Sequence, residues 1–347
     1  MARMTVCLVL IAMLAITATA VAQEGLEEEC WYDRICMSGY FHARYIDTDQ
    51  ANQFDTFDFR RMYVTIRGDM DRTTGIITLS RVGGDIRGRD TNIDLYNAFV
   101  DYQFGDRYAV QFGQVPTWFG LEAWEGSSVR DTLERAKILE GGPGFFFKGA
   151  PDRGIWLRRT PTADTWEPLI VFGVFNGQFR DDDANDDKGV SLDLKWNRPW
   201  GQFGASWFDA DYVNVEGLFG QAAGSEADRN ALDLYVRLNP APWGVQAEWA
   251  DGEMLGADRD GYYIHGSYLL PNEGDKVYAR YQEFNADTAT AGTNYEAWTL
   301  GWARQLDENN EITVEYTDAD WTSSAGQGES TGSSDDMFGV QWQYAFQ

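Results

Sequence analysis

Between residues 38 and 346 the sequence keeps returning to one pattern, a run in which apolar and polar side chains alternate, followed by a turn. Alternation at period two places successive side chains on opposite faces of an extended chain, so each run reads as a β-strand with one apolar and one polar face. The last run is the clearest. Phe338, Val340, Trp342, Tyr344 and Phe346 share one face, and Gly339, Gln341, Gln343 and Ala345 share the other. Val190, Leu192, Leu194 and Trp196 oppose Ser191, Asp193 and Lys195 in the same way, and Leu232, Leu234, Val236 and Leu238 oppose Asp233, Tyr235 and Arg237. The pattern predicts sixteen strands, from 38–45 and 54–68 at the start to 336–346 at the end.

The connections alternate too. Those at 46–53, 83–92, 115–152, 177–187, 212–227, 252–259, 286–294 and 321–335 are the longer, acidic ones. Those between them are mostly short and turn-like, such as Asn197-Arg198-Pro199-Trp200 and Asn239-Pro240-Ala241-Pro242. An even number of strands with long and short ends in alternation predicts an up-and-down meander that closes into a transmembrane β-barrel. In hydrocarbon the backbone must satisfy its own hydrogen bonds, and closure removes the open edges.

Composition fits that reading and excludes others. The chain carries 28 Lys+Arg against 55 Asp+Glu, a net charge of -27, so a basic nucleic-acid-binding face is excluded. It also holds 14 Trp, 17 Tyr and 20 Phe, too many rings for a disordered acidic chain. A barrel accommodates both, with rings facing lipid and charge on the lumen and loops. Tyr102, Trp156, Trp196, Trp200, Trp243, Trp302 and Tyr344 lie near strand ends, where aromatic girdles form. A soluble β-sandwich with aromatic sugar sites also satisfies the alternation. It does not account for the long and short loops.

Residues 1–22 read as a secretory signal, with Arg3 as the charged start, Cys7 to Ile16 as the apolar stretch and Ala20-Val21-Ala22 as the cleavage site. The expected division is therefore a signal at 1–22, a short periplasmic segment at 23–37 and the barrel at 38–347. Cys30 and Cys36 are the pair left after the signal, a candidate disulfide in an exported protein.

Three stretches carry a family resemblance. Phe57 to Gly68 (FDFRRMYVTIRG) resembles the second-strand pattern of the phosphate-selective porin O and P family. Asp94 to Tyr102 (DLYNAFVDY) resembles its fourth strand, and Gly113 to Glu122 (GQVPTWFGLE) is similar to its passage from strand five into the long third loop. The resemblance implies a sixteen-stranded bacterial outer-membrane barrel, usually a homotrimer, with the third loop folded inward to narrow the pore. This chain departs from the pattern in its acidity, since members of the family conduct anions past basic lumen residues.

A pore selects by width and by the charges on its wall. The alternation points Arg61, Arg67, Arg158, Lys195, Arg237, Lys276 and Arg280 inward, together with Asp101, Asp193, Asp233, Glu248 and Glu315. A wall of mixed sign suits general diffusion, and each of these charges has a second reading as half of a lumenal ion pair. The 115–152 connection is too long for an idle loop. Asp131 to Glu140 in it reads as a short helix, and Arg130, Arg135 and Lys137 as an anion-attracting patch at a constriction.

The acid run at 181–187 lacks the glycine and the terminal glutamate of a calcium loop, so no metal site is assigned. A solvated loop, bridged by divalent cations to lipopolysaccharide, is the reading. His265 and Ser267 share a strand face but stand about 7 Å apart at strand spacing, too far for a catalytic pair. The expectation is a non-enzymatic outer-membrane porin without cofactors, passing ions and small polar solutes among lipid and lipopolysaccharide. Specific uptake of an anion such as phosphate is the alternative, and a plugged structural or adhesin barrel the second.

Overall fold

In the computed structural model the described residues are 30–32, 34–48, 55–82, 93–139, 144–145, 151–162, 165–214, 222–271, 274–289, 293–321 and 336–346. The signal at 1–22 lies outside them, as do residues 23–29. The strands are β1 (Cys30–Tyr32), β2 (Ile35–Thr48), β3 (Thr56–Met70), β4 (Thr73–Val82), β5 (Asp94–Gln103) and β6 (Tyr108–Pro116). Then follow β7 (Pro151–Arg159), β8 (Leu169–Phe175), β9 (Gly189–Arg198), β10 (Gly201–Asn214), β11 (Ser225–Leu238) and β12 (Trp243–Met254). The chain finishes with β13 (Ala257–Leu269), β14 (Asp275–Asn285), β15 (Asn294–Gln305), β16 (Asn310–Trp321) and β17 (Met337–Phe346).

From β2 onward each strand pairs antiparallel with the next, and β17 returns to β2 from Met337↔Thr48 to Phe346↔Gly39. Among the described residues this is a closed ring of sixteen strands, the count the alternation predicted. The first barrel strand begins at Ile35 rather than 38, and the three-residue β1 is bonded along its start with Cys30 opposite Cys36. Cys36 is disulfide-bonded.

The two faces of the sheet differ as a barrel in lipid requires. Phe59, Ile77, Phe112, Phe172, Leu234, Ile264, Trp298, Leu300 and Trp342 are exposed, an apolar belt that water would not tolerate at this extent. The alternate residues, among them Ser80, Gln111, Asp193, Asp233, Glu248 and Glu315, are buried on the inner face.

Three expectations are corrected. Trp156 is not an interfacial ring but is fully buried on the inner face against Phe175. It joins an interior aromatic cluster with Trp118, Phe119, Phe179 and Phe208. Trp156 stands two residues before Arg158, on the face that the alternation points inward, so strand parity and not position near a strand end decides its side. The 252–259 connection is not a long loop either. Met254 pairs with Ala257, and Leu255 and Gly256 make the turn at φ 56 and 76, the left-handed pair a two-residue hairpin needs. Finally, 131–139 forms no helix; the connection's helical content among the described residues is one 3-10 turn at Ser127–Val129.

Candidate functional site

Residues 117–139, which leave β6, are bonded to inner-face side chains almost all the way round the ring. Gly120 N–H donates to Ser206 Oγ on β10 (2.9 Å). Leu121 and Glu122 N–H donate to the two carboxylate oxygens of Glu248 on β12 (2.7 and 3.1 Å). Leu133 N–H donates to Glu315 on β16 (3.0 Å), and Lys137 N–H to Gln282 on β14 (3.0 Å). Backbone donors that a helix would use internally are thus taken by the wall, which is why 131–139 stays irregular.

The side chains of the segment follow the opposite rule: its acids meet the wall's bases. Glu122 pairs with Arg280, which also donates to Thr132 Oγ1 (2.7 Å) and Glu134 O (3.1 Å). Glu125 pairs with Arg237, itself braced by Gln246 (3.1 Å). Asp131 pairs with Lys276 and with His265 Nε2 (2.9 Å). Glu134 receives three guanidiniums, from Arg44 (2.7 Å), Arg60 (2.6 Å) and Arg61 (2.9 Å). Wall acids therefore hold the segment's backbone, and wall bases hold its carboxylates.

Glu122, Asp131 and Glu134 are held ionised. Burial pushes the Glu122 carboxyl up, but the Arg280 and Arg130 guanidiniums and the Ala136 N–H outweigh it and keep it below its ordinary value. Burial is likewise overcome at Asp131 by His265 and Lys276, and at Glu134 by the three arginines, leaving both well below the usual carboxylate range.

Gly120 sits at φ +65, and a Cβ there would lie 2.2 Å from Glu248 Oε1, so the close approach of backbone to wall requires glycine. Beneath it Asp233 and Glu248 are both buried. Ser206 Oγ passes the contact on to Asp193 (2.6 Å).

The surroundings of the pore-lining candidates divide them. Asp193, Asp233, Glu248 and Glu315 are no more than 2% exposed. Lys195 is buried near the Trp118 and Tyr235 rings (5.8 and 5.9 Å). Arg61 is buried where Glu134 lands. By contrast the side chains of Arg158 and Asp101, 3.1 Å apart, are 30% and 15% exposed. That of Arg67, beside Asp69 at 2.9 Å, is 43% exposed. Arg67 keeps the face of Arg61 because the bulge lies before both: His42 faces Arg61, Ala43 faces Phe59, and Arg60 is the extra residue.

Arg130, Arg135 and Lys137 do not gather into one anion-attracting patch. Arg135 donates to the segment's own Glu122 O (2.9 Å) and Glu125 O (2.7 Å), Lys137 lies over the Tyr295 ring (5.2 Å), and Arg130 lines a different cavity from theirs. Sequence reasoning weighed the cations of this connection and missed its acids. It also missed Arg44 and Arg60. The adjacent pair Arg60-Arg61 in an alternating strand was the available signal, since a bulge is what sends both inward.

The anion-selective porin of Comamonas acidovorans is similar in fold at 14% identity, over 90% of this chain and 99% of that one, with a TM-score of 0.66. OmpF of Salmonella typhi, solved with daunomycin, matches at 12% identity over 90% and 97% with a TM-score of 0.68. The trimer form of OmpT, an outer membrane protein of Vibrio cholerae, matches at 12% over 90% and 99% with a TM-score of 0.59. At these identities the likeness is one of fold. No curated protein matches the sequence. Residues 36–199, a span that contains the three quoted motifs, match the family model described as phosphate-selective porin O and P.

Proposed function

We propose that this barrel is a passive channel of the bacterial outer membrane for ions and small polar solutes, with residues 117–139 folded into the lumen as its constriction. The observation that carries the reading is the division of the inner face. Arg67, Arg158 and Asp101 on β3–β7 stay partly exposed, whereas Asp193, Lys195, Asp233, Glu248, Arg280 and Glu315 of β9–β16 are closed over, and the partly exposed Arg237 and Lys276 are paired to carboxylates of the segment. A water path along the first side, bounded by the docked segment, is what a porin needs.

Selectivity in this reading is weak. The arginines that an anion pathway would use are already neutralised, Arg44, Arg60 and Arg61 by Glu134, Arg237 by Glu125 and Arg280 by Glu122. Uptake of a specific anion such as phosphate is the second reading, favoured by the family match. The trimer form of the Vibrio cholerae protein supports a homotrimer here. Export by the 1–22 signal and bridging of the acidic loops to lipopolysaccharide by divalent cations complete the proposal.

Reversal potential across a salt gradient in planar bilayers tests it. Stepwise conductance with weak selectivity and no block by phosphate is the expected result. Phosphate block favours the second reading, and folded protein that carries no current is a plugged barrel.

A further inference from the structure

We propose that the outward face of the barrel at its short-turn end, around Arg107 and Arg159, holds the phosphate of an anionic phospholipid in the adjoining leaflet. The proposal stands on the closed barrel and its apolar belt, and is independent of whether the pore conducts.

The strands place both arginines. Ile155 and Leu157 are exposed on the lipid-facing side of β7, and Arg159, two residues on, shares that face at the strand's end. It stands opposite the exposed Tyr108 on β6 and opposite Ile170 on β8. Arg107 closes the turn just before Tyr108. Glu167 draws the two together, pairing with Arg107 and with Arg159 Nη2 (2.9 Å). Arg107 Nε also donates to Thr160 O (3.0 Å).

These contacts leave part of each fork unused. A guanidinium carries five N–H donors. Among the described residues Arg159 Nε and Nη1 and Arg107 Nη1 have no partner, and the two side chains are 27% and 32% exposed. Both are therefore reachable from outside, unlike the buried Arg61 and Arg280 at the docked segment. The two free oxygens of a phosphodiester match such a fork. Arg198 on β9 lies against the exposed Trp166 ring (4.0 Å) and donates to Thr165 O (2.6 Å), adding its charge at the same rim.

The surroundings suit a lipid rather than a free anion. Tyr102, Trp166 and Trp200 are exposed rings at this end, the level at which headgroups meet an aromatic girdle. Further into the belt Leu157 pairs with Phe172 and Ile155 with Val174, all exposed, an apolar strip for acyl chains that leads away from the arginines. The lipid-facing side at the long-loop end is built oppositely. Glu283 faces Glu296, and Glu296 faces Asp320, across β14–β16, all three exposed, so a lipid phosphate is repelled there.

Native mass spectrometry of the detergent-folded barrel tests the site, with dioleoyl phosphatidylglycerol and dioleoyl phosphatidylcholine offered in equal amount. The first headgroup is anionic, and the second neutralises its phosphate with its own ammonium. Adducts of the first are expected to exceed those of the second about twenty-five-fold, about fivefold for each arginine at an anionic lipid surface. Arg159→Gln lowers that ratio about fivefold. Arg107→Gln, which leaves the Arg159–Glu167 pair in place, does the same and serves if the first variant does not fold. The ratio decides, because an arginine with a merely structural role changes both lipids together. Glycerol 3-phosphate at the same concentration, lacking acyl chains, leaves the adduct in place. Equal adducts of the two lipids on the unsubstituted barrel, an unchanged ratio in the variants, or displacement by glycerol 3-phosphate overturns the proposal.

Discussion

The two sides of the barrel's inner face are built from the same alternating strands and the same residue types, yet they do different things. On β9–β16 most inward charges, Asp193, Asp233, Glu248, Arg280 and Glu315 among them, are buried; on β3–β7 Arg67 meets Asp69, Arg158 meets Asp101, and all three inward charges stay partly exposed. An inward charge is therefore a pore residue only where nothing packs on it. A wall carboxylate such as Glu248 is an anchor on one side, and one such as Asp101 a partly exposed wall charge on the other.

The largest expected effect comes from breaking an anchor. In Glu122→Ala the Arg280 guanidinium stays buried without its carboxylate, which costs about 3–5 kcal/mol. The segment should detach from β14, raising single-channel conductance and current noise and opening 117–139 to protease. Gly120→Ala strikes the same contact more gently. A Cβ at φ +65 pressed on Glu248 costs about 1–2 kcal/mol in backbone strain alone, read as a lowered thermal unfolding transition.

These anchors were the least legible part of the sequence. Strand parity could be read because the side-chain period is two, and it separates the buried Arg61, Asp193, Asp233, Glu248, Arg280 and Glu315 from the exposed apolar belt. Which of the inward charges touch water could not be read, because that depends on where a segment distant in sequence comes to rest. Glu134 lies more than seventy residues from Arg61, and nothing local to either names the other. Trp156 was misplaced because nearness to a strand end was weighed over parity, which sets it on the inward face with Arg158; there it packs with the interior cluster around Trp118 and Phe119. Arg60 was hidden by a bulge that period two cannot show.

A charge reversal sharpens the comparison with a smaller effect. Arg158→Glu should move the reversal potential toward cation preference, since its side chain is partly exposed to the water path. Asp233→Asn, on the closed side, should leave the reversal potential where it is. Acid is expected to do least over the ordinary range. Glu122, Asp131 and Glu134 have folded-state pKa values below the unfolded ones, so their contribution is present above the ordinary carboxylate range and is lost as pH falls through the depressed values. These three ion pairs should hold from about pH 7 to 5 and open only well below about pH 4, the ordinary carboxylate value.

Single-cysteine accessibility tests the division of the inner face most directly. Arg158→Cys and Asp233→Cys are each placed in a bilayer and exposed to a charged, water-soluble thiol reagent while current is recorded. Rapid block at position 158 with no reaction at position 233 is the predicted result. Equal reaction at both, or reaction at 233 alone, would contradict a water path confined to the β3–β7 side.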